Sequence, residues 1–398
     1  MPDRAIGIYV SVPFCRSKCT YCNFASDVYP ASEHKRYIAR VTEEVTGAAD
    51  WAAALGLELS HCVDTIYLGG GTPSLLEPDL IERLFGAIRQ EFHVDPDAEI
   101  TVECAPGQIA QATLDAMVKA GVNRVSLGVQ SFIDKEAHES GRLHSRDVVL
   151  DDLRRLKASG INSLNVDLIA GLAGQTFASW DESLDVLLGS GVPHASVYML
   201  EVDEDSRLGR ELMAGGARYR AGLVPTDDAI ARMYDTAVSR LESDGLMQYE
   251  ISNFGRAGFE SRHNLRYWQR RPYLGLGLDA SSMLREREAK FVLRATATDD
   301  LKGYLGGDTA RETTWLGPER QLEEAWFLGL RTTGGVDPLE LEREFGGELA
   351  GPTVRVAERL VGEGSLAYES GRYRLTARGR MVSNDVFQEF LAEPENVS

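Results

Sequence analysis

Short apolar runs rich in β-branched residues alternate with amphipathic stretches through the first half of the chain. The runs fall near residues 6–12, 63–69, 99–104, 123–129, 163–169 and 194–200, each the length of one strand. Between them the period lengthens. Over residues 32–49, Tyr37, Ile38, Val41 and Val45 share one helical face, and Ser32 is placed to cap its start. Stretches 146–159 and 176–189 behave alike, and Gly160 supplies a stop. Strand and helix in alternation predict βα units around a parallel sheet. Six units rather than eight predict an α/β fold, a partial (β/α)6 barrel open on one side.

The rhythm is lost after residue 225. Residues 226–316 read as a linking region, and a different pattern starts at Gly317. There the periodicity predicts helices over 323–330, 338–345 and 354–360, a hairpin over 365–375 turning at Ser370-Gly371, and a last helix over 381–391. Three helices and a two-stranded wing resemble a winged-helix module, a C-terminal α+β domain over 317–398. Many such modules bind DNA, but residues 318–398 carry nine Arg and no Lys against fifteen Asp and Glu. That sign is wrong for a phosphate backbone, so a lid or a partner-docking role is expected instead.

Charge points the same way for the whole chain. Its 398 residues carry a net charge of -19, which argues against a nucleic-acid partner and suits a small-molecule ligand. The first fourteen residues lack a basic segment followed by a long apolar one, and no later run approaches membrane-spanning length. A cytoplasmic protein without a membrane span is expected. Five cysteines, three of them clustered, fit a reducing compartment better than a disulfide framework.

Those three are Cys15, Cys19 and Cys22, spaced C-x3-C-x2-C in the loop after the first predicted strand. Three thiolates this close can hold three corners of an iron-sulfur cube and leave the fourth iron open. Structural zinc is the alternative, but it needs a closing fourth ligand, and none is evident nearby. Other unusual residues also fall at strand ends. Gly69-Gly70-Gly71-Thr72-Pro73 follows the second strand, Glu103 ends the third, Gln130 the fourth, Asp167 lies near the end of the fifth, and Tyr198 and Glu201 close the sixth. In barrels of this kind the active site is built at those ends.

The cysteine spacing, with Tyr21 before the third cysteine, resembles the signature of the radical S-adenosylmethionine (SAM) superfamily. That resemblance implies a 4Fe-4S cluster whose open iron binds SAM. A narrower resemblance rests on Tyr9-Val-Ser-Val-Pro-Phe-Cys15, Gly69-Gly-Gly-Thr-Pro73, Val129-Gln-Ser131, Gly141-Arg142 and Asn165-Val-Asp-Leu-Ile-Ala-Gly171. In this order and at these separations they look like the oxygen-independent coproporphyrinogen III oxidase family, over most of the chain. The resemblance implies a radical SAM barrel over residues 1–225, with Cys15, Cys19 and Cys22 holding the cluster. It implies SAM contacts from Tyr9, Gly70, Gly71, Thr72, Glu103, Gln130, Arg142 and Asp167. These suit SAM chemically: a carboxylate accepts from its ammonium, an arginine pairs with its carboxylate, and an aspartate accepts from its ribose hydroxyls.

Members that oxidise coproporphyrinogen III to protoporphyrinogen IX carry a further cysteine two residues after the third, and this chain has Phe24 there. They also carry a longer segment before the cluster motif. Both departures resemble the heme-chaperone branch of the family, which implies heme as bound cargo, a heme-acceptor protein and no assigned catalytic residue. If SAM is cleaved, a flavodoxin or ferredoxin is the expected electron donor. The segment His263-Asn264-Leu-Arg-Tyr267-Trp268 resembles a stretch of that same branch. His263, Tyr267 and Trp268 are therefore the expected heme site within 226–316, because flat rings favour aromatic walls and histidine can ligate iron.

Overall fold

The computed structural model describes residues 5–204, 206–216, 218–286 and 290–391. Six parallel strands form the barrel: β1 (Ile6–Val12), β2 (Cys62–Gly70), β3 (His93–Cys104), β4 (Arg124–Gln130), β5 (Ser163–Ala170) and β6 (His194–Met199). They lie where the apolar runs predicted them. Their connections carry helices, among them Ala31–Ala54, Arg146–Ala158 and Phe177–Ser190. One face of each strand packs on those helices, through residues such as Ile8, Val10, Ile66, Leu68, Val125, Leu127, Val166 and Val197, all buried. Because side chains alternate along a strand, the opposite set faces the barrel interior.

That interior set is polar. Tyr67, Thr101, Glu103, Arg124, Ser126, Asn165, Asp167, His194, Ser196 and Tyr198 line one small chamber of about 50 Å³. Buried polar groups are costly unless hydrogen-bonded, and here several of them bond to one another. Asn165 donates to Asp167 at 2.6 Å and to Ser196 at 3.0 Å, and His194 meets Asn165 at 2.6 Å and Tyr249 at 2.8 Å.

Residues 226–316, read from the sequence as a linking region, add strands to both edges of this sheet. On one edge β7 (Met247–Glu250) and β8 (Asn253–Gly255) follow β6. On the other, β9 (Tyr273–Leu276), β10 (Ser281–Arg285), β11 (Val292–Ala297) and β12 (Arg311–Leu316) extend outward from β1. Among the described residues the sheet has twelve strands, ordered β12-β11-β10-β9-β1-β2-β3-β4-β5-β6-β8-β7. Strand β9 runs parallel to β1, and the outer three are antiparallel.

The C-terminal part forms its own core around Trp326, Leu341, Ala357, Leu360 and Phe390. Its helices are Pro318–Arg331, Pro338–Phe345 and Gly347–Gly362, followed by β13 (Leu366–Glu369) and β14 (Arg372–Leu375). Ser370 and Gly371 both take positive φ, as a two-residue hairpin turn requires. The expected last helix is two short ones, Ala377–Met381 and Ser383–Gln388, broken at Val382, whose φ and ψ are -119 and 34°. No helix among the described residues is long and apolar enough to cross a membrane.

Candidate active site

The loop after β1 carries the three cysteines over the C-terminal ends of the strands. Its backbone is clamped by the glycine segment after β2: Gly71 N–H donates to Val12 O at 2.9 Å and Thr72 N–H to Phe14 O at 2.7 Å. A side chain at Gly71 would meet Val12 O at 2.7 Å and Phe14 N at 2.9 Å. The close approach that requires glycine is therefore to the chain's own cysteine loop. From the other side, Thr20 N–H donates to Ser140 O at 3.0 Å and Ser17 Oγ to Gly141 O at 2.8 Å, which ties in the loop after β4.

The three thiols open onto a cavity of about 590 Å³. Gly70, Gly71, Thr72, Glu103, Gln130, Arg142 and Asp167 line it with them, so seven of the eight residues expected to contact SAM meet at the cysteines. Tyr9 does not line this cavity; its hydroxyl lies beneath Gly70, and its ring stacks on Tyr67 with centroids 6.1 Å apart. Among the described residues no three His, Cys, Asp or Glu side chains are grouped to hold a single metal ion.

The donor set fits a cluster and SAM. Thr72 Oγ1 lies 3.8 Å from Cys15 Sγ, and Arg142 Nη1 lies 3.5 Å from Cys19 Sγ. Gln130 ends β4 at a register shift and holds φ at 71°, a left-handed conformation unusual for a side chain of its kind. Its Oε1 is buried with no hydrogen-bond partner among the described residues. An orphaned acceptor beside three thiols, on a strained backbone, marks a place prepared for a ligand.

The acids beneath are tuned by burial. Glu103 accepts from Tyr67 Oη at 2.8 Å and from Gly70 N–H at 3.2 Å, yet its carboxyl is pushed up to about 7 because burial outweighs both bonds. Asp167 is also raised by burial, against hydrogen bonds from Ser196, Ser126 and Asn165. Sequence reasoning missed the inner partners of these acids, Tyr67, Ser126, Asn165 and Ser196. The period-2 polar alternation inside the apolar runs was their available signal.

The second expected site lies elsewhere. His263 opens the helix Arg262–Trp268, which sits at the opposite end of the barrel from the cysteines, under the N-terminal halves of β2 and β3. The Glu99 carboxylate receives the N–H groups of Arg262 and His263 at 3.0 and 2.9 Å, capping that helix start. The His263 ring is 0 % exposed, with Nδ1 2.9 Å from Thr65 Oγ1 and Nε2 2.8 Å from Tyr267 Oη. Burial depresses it to about 3. Neither ring nitrogen is free for iron in this conformation. Tyr267 packs edge-on to Tyr273, centroids 4.6 Å apart, and the Trp268 ring lies under the Arg331 guanidinium at 4.5 Å. The stretch joins barrel floor to C-terminal module.

Comparison with known proteins agrees with this architecture. Residues 9–187 match the radical SAM superfamily and residues 316–382 the HemN C-terminal domain. The heme chaperone HemW of Bacillus subtilis is 32% identical over 97% of this chain and 99% of its own length. That of Escherichia coli is 28% identical, over 98% of each chain. The coproporphyrinogen III oxidase (HemN) structure from Escherichia coli superposes with a TM-score of 0.81 at 21% identity, over 98% of this chain and 91% of that one, which shows a common fold. With three thiols at the mouth of a six-stranded parallel barrel and identity sustained along its full length, this chain belongs to the HemW family within the radical SAM superfamily.

Proposed function

We propose that this protein binds heme and hands it to an acceptor protein, with a 4Fe-4S cluster and SAM at the barrel mouth. Cys15, Cys19 and Cys22 would hold the cluster. Glu103 would accept from the SAM ammonium, Arg142 would pair with its carboxylate and Asp167 would take its ribose hydroxyls, with Gln130 Oε1 as a further acceptor. Gly70, Gly71 and Thr72 would form the wall beside the methionyl end, and Tyr9 would act through Gly70. A reduced cluster held there would supply the electron for any cleavage of SAM. A cytoplasmic location and a flavodoxin or ferredoxin as donor belong to the same reading.

The observation that carries it is Phe24. It lines the cavity beside the three thiols, at the position where oxidases of the wider family have a further cysteine. A phenyl ring there cannot supply thiol chemistry but can lie against a flat apolar ligand. Full-length similarity to proteins named heme chaperones supports the same choice over porphyrinogen oxidation.

Titrating hemin into the purified protein is the test. Stoichiometric binding with a shifted Soret band is expected; its absence removes the carrier reading. In parallel, anaerobic incubation of the reconstituted protein with SAM, reductant and coproporphyrinogen III is expected to release no carbon dioxide above background. Release at enzymatic rates would establish the oxidase instead.

A further inference from the structure

The cavity at the barrel mouth has two chemically different levels. Its base is polar and enclosed, with Glu103, Gln130, Arg142 and Asp167 around the thiols. Its rim is open and carries two apolar side chains: Phe24 is 62% exposed and Leu143 58%, although both line the cavity. Isolated exposed apolar side chains are ordinary, but two at the rim of one cavity, on loops tied to each other, form a built surface.

Both loops are fixed. Lys18 Nζ donates to Phe24 O and to Ser26 O, each at 2.6 Å, and Ser26 N–H donates to Phe24 O at 2.7 Å. Leu143 follows Arg142, whose N–H is bonded to Ala137 O at 2.9 Å, and precedes His144, which is buried. With the Ser17–Gly141 and Thr20–Ser140 bonds between the loops, Phe24 and Leu143 are presented outward by rigid backbone rather than by loose tips.

Charge divides the same rim. Arg16, exposed beside Cys15, lines one part of the cavity, whereas Glu201 and Asp203 line the end of β6. Lys18 lines the same part of the cavity, with its ammonium bonded to Phe24 O and Ser26 O. A ligand suited to both features is flat, apolar across its face and anionic at one edge.

Resting on the heme-binding reading above, we propose that heme docks at this rim, across Phe24 and Leu143 with its propionates toward Arg16, and roofs the SAM cavity. The His263 segment is then structural. Heme placed so would slow the exchange of SAM with solvent, so the two ligands would be coupled through the cavity they share.

The test compares hemin affinity of the full chain in cluster-free form, by Soret titration, for the unmodified protein, the F24S/L143S double variant, Phe24→Leu and Arg16→Glu. The double variant is expected to bind at least about tenfold more weakly and Phe24→Leu within about threefold of the unmodified protein. Arg16→Glu is expected to weaken hemin binding while leaving hemin dimethyl ester unaffected. Far-UV circular dichroism verifies folding, and the altered residues are exposed. Unchanged hemin affinity in both F24S/L143S and Arg16→Glu would overturn the rim site while leaving heme binding intact. Failure of the unmodified protein to bind hemin would overturn the carrier reading itself. A second readout needs no variant: hemin should protect the amides of residues 22–26 from hydrogen exchange, and protection confined to residues 262–268 would place the heme at the other end of the barrel.

Discussion

Tyr67 donates its phenolic hydrogen to Glu103 Oε1 at 2.8 Å inside the barrel, and the carboxyl still rises to about 7. If SAM binds the charged carboxylate, the competent fraction grows about tenfold from pH 6 to pH 8, and the apparent Kd falls by the same factor. Equilibrium dialysis of SAM on the reconstituted protein measures this, and Glu103→Gln should bind weakly and without that pH dependence. Stability moves the other way. Because the folded value lies above the ordinary carboxylate range, the native state holds this proton more tightly. The contribution to stability is full below the ordinary range and is lost as pH rises through about 7.

Gln130 separates stability from binding. Its φ of 71° is a conformation that glycine adopts freely, whereas its unpartnered Oε1 is useful only to a ligand. Gln130→Gly should leave the unfolding free energy unchanged or raise it by up to about 1 kcal/mol. SAM affinity should fall by about tenfold or more, since an acceptor aimed into the cavity is removed. Urea unfolding of the cluster-free chain and SAM dialysis of the reconstituted chain give the two numbers. A loss of stability without loss of affinity would make Gln130 a structural residue.

The cysteine loop is held by backbone contacts to Gly71, Thr72 and Ser140, and those contacts involve no thiol. The triple variant Cys15→Ala, Cys19→Ala, Cys22→Ala should therefore fold, with unfolding free energy within about 1 kcal/mol of the cluster-free unmodified chain. After anaerobic reconstitution it should hold no iron and show no 4Fe-4S absorption. Iron and sulfide retained at near four per chain would move the cluster to other ligands.

The first half of the chain was legible because each βα unit carries its own signal. An apolar run such as 163–169 is buried by helices whatever happens elsewhere, and the strand ends then bring Glu103, Gln130 and Asp167 to one mouth by topology alone. Strands β7 to β12 were not legible, since they are only three to six residues long and the two that join the sheet, β8 and β9, take their partners β6 and β1 from far away in sequence. The helix Gly347–Gly362 was expected to begin at residue 354, after Pro352. The structure carries that proline inside the helix, in its second turn. The place of the His263 stretch was not legible for a different reason. Histidine between aromatics has the same composition whether it faces a ligand or Thr65 of a neighbouring strand, and only the fold distinguishes them.

That distinction yields the last prediction. His263 bridges Thr65 and Tyr267 with both ring nitrogens, in a site with no solvent exposure. Replacing it with alanine removes the partner of the Tyr267 hydroxyl, leaves Thr65 Oγ1 with its 3.3 Å bond from Arg266 Nε, and opens a cavity beside Tyr67, whose ring stacks on the imidazole with centroids 5.2 Å apart. The cost should be about 3 kcal/mol of unfolding free energy. With the folded ring depressed to about 3 and the unfolded one titrating near the ordinary 6.5, the unmodified protein gains stability from pH 6 to pH 8 that the variant lacks, so the penalty should grow by about 0.8 kcal/mol over that range. Measured on the folded fraction, His263→Ala should keep the hemin affinity and Soret position of the unmodified protein. If His263 were the iron ligand, the opposite pair of results would follow: a displaced Soret band at little cost in stability. The two outcomes are separated by denaturant unfolding and absorption spectra on one preparation.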